Sequence, residues 1–349
     1  MAAAPRYRTR LFVAVQDDGE VGYLLFKLNL KHLFSSQEKP LPQPGVRVDC
    51  PSSPPLLSLP DPVACFKQVN SYEIMMFSDS PCGNFIAGIG TNGRTLLYNG
   101  AVVSRGPVMP SVKQFVFLVP VSDRMFFVIS PYPSYDVPPG PRFEVLQHHP
   151  CPDNGGRWAW SAVPEPPGFA RCKRADVTAY FVSDVCVWIS LQHQGTYSYD
   201  TVRRRWCVEG AWQLPIKRRG VLVSDFLGTG RRLLFGFHAL EDFRGKPFCA
   251  VDMDIRPPAI VATWPEAFPA EPAWRAGYTI CSHVPEVGYF GGGRFCLWVT
   301  NHNNDKTHRR SVVCFMAVEL SPELRLLERK FTCYLLPLSS RPSPADVIM

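Results

Sequence analysis

Long hydrophobic runs are missing from this chain. The longest apolar stretches, such as residues 115–121, are much shorter than the ~20 residues that a membrane-spanning helix needs. The start, Met-Ala-Ala-Ala-Pro-Arg, has no apolar signal core, and no Asn-x-Ser/Thr sequon occurs. These absences argue against a membrane or a secreted protein. We expect an intracellular protein, cytoplasmic or nuclear, with no membrane partner.

Cys-x-x-Cys pairs are also absent, although the chain has twelve cysteines. The cysteines are scattered through apolar segments, and Cys186 and Cys314 lie within β-like runs. A buried thiol behaves as a small hydrophobic side chain, and disulfides are rare inside cells. The pattern therefore predicts reduced thiols in the core.

Catalytic and cofactor signatures are missing as well. Gly-x-Ser-x-Gly does not occur. The glycine run 291–293 is flanked by β-like segments and not by a helix, which indicates a turn or bulge instead of a phosphate loop. Residues 148–151 (His-His-Pro-Cys) and 281–283 (Cys-Ser-His) lack a second half at zinc-site spacing. We therefore predict no catalytic residue, no cofactor and no metal site.

Proline, in contrast, is plentiful, at 35 of 349 residues. This is about twice the usual share of ~5%, yet the segments between prolines are β-branched and aromatic, and the chain has 23 phenylalanines. A disordered Pro-rich chain would be poor in phenylalanine. Proline is therefore interpreted as punctuation between strands. Residues 51–62, with five prolines, are predicted to be a linker too proline-rich to enter a sheet.

A Ser-Asp pair after an apolar residue recurs along the chain. Each pair follows one β-like run and precedes a second, and a third and a fourth run come next. In the stretch 195–215 these last two runs form a clear hairpin. Four strands repeated at about 40 to 60 residues are typical of propeller blades. The pairs are Ser78-Asp79, Ser122-Asp123, Ser183-Asp184 and Ser224-Asp225.

The sequence therefore predicts an all-β fold with one domain over residues 1–349, a single β-propeller of six blades with mostly four antiparallel strands. The first blade is incomplete in sequence, so either residues 10–50 form a three-stranded blade or a strand from the far end completes it. Residues 321–330 satisfy local rules for a short helix, but the repeat predicts a strand there. Trp188 and Trp206 are predicted to be buried between neighbouring blades. The approximate blade boundaries are 7–50, 63–110, 111–168, 169–216, 217–268 and 269–338, with a tail at 339–349.

Three stretches carry a family resemblance. They are 195–201 followed by Trp206 and 212–215, then 293–298 (Gly-Arg-Phe-Cys-Leu-Trp), and 329–337 near the end. With the N-terminal hairpin, they resemble a large grass-lineage family of uncharacterised, kelch-like proteins. The resemblance implies a β-propeller fold and a relation to plant propellers that follow F-box segments in ubiquitin ligases. No F-box segment precedes residue 10 in this sequence.

The repeated aspartates allow two interpretations. Asp79, Asp123, Asp184 and Asp225 could ring a central channel as metal ligands. Alternatively, each Ser-Asp pair caps a hairpin turn by accepting hydrogen bonds from nearby backbone N–H groups. A structural device is expected in every blade, whereas a catalytic residue usually occurs once, so we favour the turn.

Basic residues exceed acidic ones, 37 against 30, which gives a net charge of +7. Several basic residues are clustered, as at 203–205 and 217–219. We expect these basic clusters to lie at turns and inter-strand loops, where they could form a rim that attracts an acidic partner or nucleic acid. Solvated loop charge is the simpler interpretation. Two tyrosines in the Pro-rich segment 131–141 are further contact candidates. The candidate partner-binding residues are Arg203, Arg204, Arg205, Lys217, Arg218, Arg219, Tyr132 and Tyr135.

Three functions remain open on the sequence alone. The leading hypothesis is a non-enzymatic scaffold that presents loops to an unidentified protein partner, as an adaptor or a substrate-recognition module. The second is a propeller enzyme with a metal in the central channel. The weakest is a protein that binds nucleic acid or an acidic partner through its basic clusters.

Overall fold

A computed structural model describes most of the chain. The residues described are 10–17, 22–29, 33–34, 56–69, 73–81, 83, 85–111, 113, 116–130, 140–151, 156–167, 176–239, 247–265, 278–280, 285–303, 311–336 and 346–348. β-Strands dominate this part of the chain, and a short 3-10 turn occurs at Phe226–Gly228. No helix among these residues is long and apolar enough to cross a membrane.

The strands follow one another at short intervals. The first half of the chain contains β1 (Arg10–Asp17), β2 (Gly22–Asn29), β3 (Leu56–Ser58), β4 (Pro62–Lys67), β5 (Met75–Asp79), β6 (Ile86–Gly90), β7 (Thr95–Tyr98), β8 (Val103–Arg105), β9 (Phe117–Ser122), β10 (Met125–Ile129), β11 (Phe143–His149) and β12 (Arg157–Val163). The second half contains β13 (Val177–Ser183), β14 (Cys186–Leu191), β15 (Gly195–Asp200), β16 (Arg205–Gly210), β17 (Ile216–Val223), β18 (Leu233–His238), β19 (Phe248–Asp252), β20 (Ala259–Trp264), β21 (Tyr278–Ile280), β22 (Glu286–Tyr289), β23 (Arg294–Asn303), β24 (Ser311–Leu320), β25 (Leu326–Leu335) and β26 (Asp346–Ile348).

Antiparallel units of four strands are the repeating element. Within the described residues they are β26-β1-β2-β4, β5-β6-β7-β8, β9-β10-β11-β12, β13-β14-β15-β16, β17-β18-β19-β20 and β22-β23-β24-β25. We number them one to six in this order. The sheet that contains the last of these has six strands, because β21 also pairs with β23 and β3 pairs with β25. Units four and five join into one sheet because β13 and β17 pair in parallel over two residues, Ala179 with Arg218 and Tyr180 with Arg219.

The first-named strand of each unit lies innermost. These strands contact one another in series, β26 with β5, β5 with β9, β9 with β13, β13 with β17, and β17 with β22. The remaining strands of each unit extend outward in sequence order. Sheets arranged radially about a row of inner strands are the defining feature of a propeller.

Hydrophobic cores lie between the units and form a closed cycle. Each of the buried clusters joins two consecutive units, and one joins the sixth unit to the first. Paired members, starting from that closing cluster, are Val13 with Phe315, Tyr23 with Phe77, Ile89 with Val128, Val145 with Tyr197, Phe181 with Leu234, and Phe235 with Phe295. The described residues thus form a ring, and the all-β propeller prediction is confirmed. The number of blades in the whole chain stays a prediction.

The ring closes by the second of the two predicted alternatives, in which a strand from the far end of the chain completes the first blade. Strand β26 pairs antiparallel with β1, with Phe12 opposite Ile348 and Ala14 opposite Asp346. The innermost strand of unit one therefore comes from residues 346–348, within the segment predicted to be a tail. The outer strand of that unit is β4, whereas the predicted first blade ended at residue 50.

The predicted linker at residues 51–62 also takes part in sheets. It contains β3, which pairs in parallel with β25, and the first residue of β4. Both strands lie at sheet edges. Proline is tolerated at an edge because one side of the strand has no ladder partner. Proline content alone could not separate an edge strand from a linker.

The segment at residues 321–330 follows the repeat. Ser321 begins a turn in which its Oγ accepts a hydrogen bond from the N–H of Arg325 at 3.2 Å, and β25 starts at Leu326. The residues that favour the start of a helix therefore form a turn. Long-range pairing with β24 determines the conformation that follows.

Candidate partner-binding end of the ring

The ring has two different ends. Chain direction alternates from strand to strand, so the connections between first and second strands lie at the same end as those between third and fourth strands. We call this the turn end. The opposite end carries the connections between second and third strands and between successive units, and we call it the connection end.

Connection length differs between the two ends. The turn end is made mostly of short turns, such as 123–124, 184–185 and 201–204, with 30–61 as a long exception. The connection end has repeated long segments. These are 106–116, 130–142, 164–176, 239–247, 265–285 and 336–345. Long segments on a rigid frame are where proteins usually carry binding function.

The Ser-Asp pairs occupy the turn end. Asp184 and the residue after it form the two-residue turn between β13 and β14, and Asp184 has φ 52°. Asp225 also has positive φ, and its Oδ1 accepts a hydrogen bond from the N–H of Gly230 at 2.7 Å. Ser122 Oγ accepts one from the N–H of Arg124 at 3.3 Å. These geometries support the turn-capping interpretation.

Metal-ligand geometry is not found in the described part of the chain. No group of three or more His, Cys, Asp or Glu side chains there is close enough to hold a metal ion. His148 packs its ring against Trp158, with centroids 5.2 Å apart. The glycine run at 291–293 forms the turn between β22 and β23, where Arg294 N–H donates to the Gly291 carbonyl at 3.1 Å. Residues 281–283 lie outside the described residues.

The two main basic clusters lie at opposite ends, so they do not form one rim. Arg203–Arg205 follow Thr201, whose N–H donates to the Val185 carbonyl of the neighbouring turn at 3.2 Å. That contact places them at the turn end. Lys217–Arg219 follow Leu214, whose N–H donates to Ser190 Oγ near the opposite end of β14 at 2.9 Å. The second cluster is therefore at the connection end.

The turn-end cluster is solvated. Arg203, Arg204 and Arg205 are all exposed. The Asp200 carboxylate holds their turn by accepting hydrogen bonds from the N–H groups of Val202 at 2.9 Å and Arg203 at 2.8 Å. The hydrogen bond from Arg203 is the main reason that the pKa of Asp200 lies below its usual value. Their structural setting is therefore an exposed, hydrogen-bonded turn.

The connection-end cluster lies within the innermost strand β17, not in a loop as the sequence suggested. Lys217, Arg218 and Arg219 are half-buried. Pairing with β18 shifts between Lys217 and Val221, which is a bulge, and Arg218 has φ 62°. The backbone of Arg218 and Arg219 forms the bridge to β13 at the same point. A bulge redirects side chains and is common beside functional sites.

A buried ion pair near the same end was not predicted. Lys113 Nζ lies 2.6 Å from Glu144 Oε2, and both side chains are at most 5% exposed. Ser111 Oγ donates to the same carboxylate oxygen at 2.5 Å, and Lys113 also donates to the Pro141 carbonyl at 2.6 Å. Removing one partner of such a pair costs about 3 to 5 kcal/mol, because the other charge is left buried. This network fixes the connection 106–116 against unit three.

Arg142 extends this polar layer. Its guanidinium donates from Nε and Nη2 to the Ser130 carbonyl at 3.3 and 3.2 Å. Burial lowers the pKa of Arg142, and the charges of Glu165 and Asp176 oppose that shift. The sequence signal for the ion pair was that Glu144 is a charged residue inside an apolar run, between Phe143 and Val145. The partner of Glu144 could not be identified from the sequence, because Lys113 lies in the connection between units two and three.

A second buried carboxylate, that of Glu73, lies just before β5, the innermost strand of unit two. Glu73 Oε2 accepts hydrogen bonds from Val69 N–H at 2.8 Å and from Arg94 Nη1 at 3.2 Å. Arg94 lies in the turn after β6, at the connection end. The connection end thus has ion pairs with a buried carboxylate, whereas the ion pairs of the turn end, such as Arg231 with Asp252, are more exposed. Tyr132 and Tyr135 lie outside the described residues, in the segment that links β10 to β11.

The radial antiparallel units and the closed cycle of cores define a β-propeller. The chain belongs to the family described as a protein of unknown function, DUF1668, whose model matches residues 8–334. No curated protein matches the chain.

Two solved structures align over most of the chain at low similarity. One is dihydro-heme d1 dehydrogenase NirN in complex with DHE, with 12% identity and a TM-score of 0.39, covering 95% of this chain and 56% of that one. The other is the Cps50 (Swd1) β-propeller domain of Myceliophteria thermophila, with 8% identity and a TM-score of 0.40, covering 93% of this chain and 86% of that one. This chain therefore spans about half the length of the first structure.

Proposed function

We propose that this protein is a non-enzymatic interaction scaffold whose partner binds the connection end of the ring. The supporting observation is the bulge of β17, which holds Lys217, Arg218 and Arg219 half-buried in an innermost strand. A bulge at the centre of the ring interrupts an otherwise regular ladder at the end with the long connections. Such an interruption favours a contact surface over a purely structural role.

The partner is expected to present acidic residues to this surface. The three basic residues are half-buried, and water weakens the attraction between a charge and a carboxylate less at such a site than at an exposed turn. The buried pairs Lys113–Glu144 and Arg94–Glu73 keep the surrounding connections in place. A rigid surface loses less entropy on binding.

The finer features of the proposal follow from the family resemblance. We infer a kelch-like protein of the grass lineage, acting inside the cell as an adaptor or substrate-recognition module. Nucleic acid is the competing acidic partner, and a metal-dependent enzyme is the remaining alternative.

Charge reversal at the two ends tests the proposal. A partner is first purified with the protein from its native tissue, and its affinity is then measured with the purified pair at several salt concentrations. We expect the double variant Lys217→Glu/Arg218→Glu to weaken binding at least tenfold. The matched control Arg203→Glu/Arg204→Glu makes the same charge change at the turn end and should leave the affinity within twofold.

The outcomes separate the candidate functions. Equal loss of affinity in both double variants would indicate nonspecific charge attraction, and no loss in either would remove the β17 bulge from the interface. Oligonucleotide binding whose affinity falls linearly with salt on logarithmic axes would favour nucleic acid. The unfolding midpoint of each variant is also measured, and a loss of affinity is assigned to the contact surface only where that midpoint is unchanged.

A further inference from the structure

Two buried cysteines face each other across the sixth unit. Cys314 of β24 and Cys333 of β25 are directly opposite in the antiparallel ladder. Their sulfur atoms are 3.0 Å apart, and both residues are fully buried. Both belong to the core between units five and six. They therefore point to the same side of the sheet.

The backbone already has the geometry that a disulfide needs. Directly opposed residues in an antiparallel pair have Cα atoms about 4.5 or 5.5 Å apart. Disulfides span Cα separations of about 4.4 to 6.8 Å. A bond between these two sulfurs would therefore require no movement of β24 relative to β25.

We propose that Cys314 and Cys333 are a reversible oxidation site, which forms an intrachain disulfide when the folded protein meets a peroxide. In the first step the Cys333 sulfur attacks one peroxide oxygen, the O–O bond breaks, and a sulfenic acid and one water are formed. In the second step the Cys314 sulfur attacks the sulfenic sulfur, the S–O bond breaks, and a second water leaves. Two thiols are oxidised by two electrons in total, and one hydrogen peroxide is reduced to two waters.

Cys333 is the sulfur that reacts first, because β25 is the more accessible strand. In the described structure β25 is bordered on its outer side only by β3, which pairs with it over three residues. Leu56 of β3 is opposite Cys333 and is 51% exposed. Brief opening of β3 would therefore admit a small oxidant to Cys333, while β24 stays paired on both sides.

Other buried thiols of the chain provide an internal comparison. Cys249 and Cys296 are as deeply buried, but among the described residues neither faces another cysteine across its strand pair. Burial raises the pKa of Cys249 to about 12 and also raises that of Cys296. All four thiols are equally buried, so the difference is that neither Cys249 nor Cys296 faces another cysteine in the described ladders. These two cysteines should form no disulfide under conditions that link the pair.

The experiment maps disulfides after mild oxidation. The full chain carrying Cys207→Ser, which removes an exposed thiol, is reduced, exchanged into buffer and treated with hydrogen peroxide while folded. Remaining thiols are alkylated in denaturant, and the peptides are identified by mass spectrometry. We expect a linked peptide containing Cys314 and Cys333, lighter by two hydrogen atoms and cleaved by dithiothreitol, with Cys249 and Cys296 alkylated.

Two results would overturn the proposal. One is alkylation of Cys314 and Cys333 to the same extent as Cys249 and Cys296. The other is a link that appears only when the protein is unfolded in urea before oxidation. The variant Cys314→Ala supplies the matched control, since its Cys333 should give a sulfenic acid that dimedone traps, with no linked peptide. If that variant folds poorly, the oxidised and reduced unmutated chains are compared, and oxidation should raise the unfolding midpoint.

Discussion

Trp188 is held between units four and five. It is 7% exposed, and its ring stacks on Phe181 with centroids 5.2 Å apart. We expect Trp188→Ala to lower the free energy of unfolding by about 3 to 5 kcal/mol, because the cavity would lie between two packed units and could not collapse fully. Urea denaturation followed by circular dichroism measures this change. An unchanged midpoint would contradict the burial of this ring.

Trp206 packs between units three and four, as predicted, but it is less deeply buried than Trp188. It is the second residue of β16, the outer strand of unit four, and is partly buried. Its Nε1 donates to the Pro164 carbonyl of the preceding unit at 2.6 Å, and its ring lies 5.3 Å from that of Phe143. β16 is the outermost strand of its unit, so one of its edges has no neighbouring strand. The side chains of β16 therefore contact neighbouring elements on one side only. The aromatic pattern indicated an inter-unit contact but could not give the depth of burial.

Residue identity predicted ion pairs less well than it predicted apolar contacts. Lys113 lies in the connection between units two and three, Glu144 lies in unit three, and no local pattern connects them. The three basic residues of β17 were expected in loops, because three successive charges are unusual inside a ladder. A bulge accommodates them, and pairing register depends on the neighbouring strand more than on the charged residues themselves.

At the scale of elements, the turn between β14 and β15 depends on one glycine. Gly195 has φ 110°, and a Cβ atom there would lie 2.2 Å from the Gly210 carbonyl oxygen. We expect Gly195→Ala to destabilise the protein by about 2 to 4 kcal/mol, since backbone strain and overpacking add. The matched control is Gly100→Ala, where φ is 91° and no atom lies within 4 Å of the added carbon. That variant should lose only about 1 to 2 kcal/mol, and equal losses would show that the close approach to Gly210 is unimportant.

Most strands could be predicted from the sequence because their apolar alternation and turn residues are local signals. The recurrent Ser-Asp pairs gave the order of strands within units two to five. Strands β3 and β26 could not be predicted in the same way. Each is three residues long, and each exists because of a partner from a distant part of the chain.

At the scale of the whole molecule, closure depends on β26. Truncation after residue 345 removes this strand and leaves the inner edge of β1 unpaired. We expect a loss on the order of 2 to 4 kcal/mol, from about three net hydrogen bonds, together with self-association through the exposed edge. Thermal unfolding and size-exclusion chromatography measure the two effects. Removal of residue 349 alone is the control, and identical behaviour of both truncations would mean that the ring closes without β26.

The pairing of β1 with β26 also determines how the ring responds to a pulling force. Phe12 lies opposite Ile348 in an antiparallel ladder, so the start of β1 and the end of β26 lie at the same end of this ladder. A load that draws Arg10 and Ile348 apart would strain the hydrogen bonds one after another, as in peeling, and would not shear them all together. The hydrophobic packing between the other units would carry none of that load until β26 had separated from β1. Under tension, therefore, the ring should unwind from its closure first, with unit one losing its inner strand while units two to five stay intact.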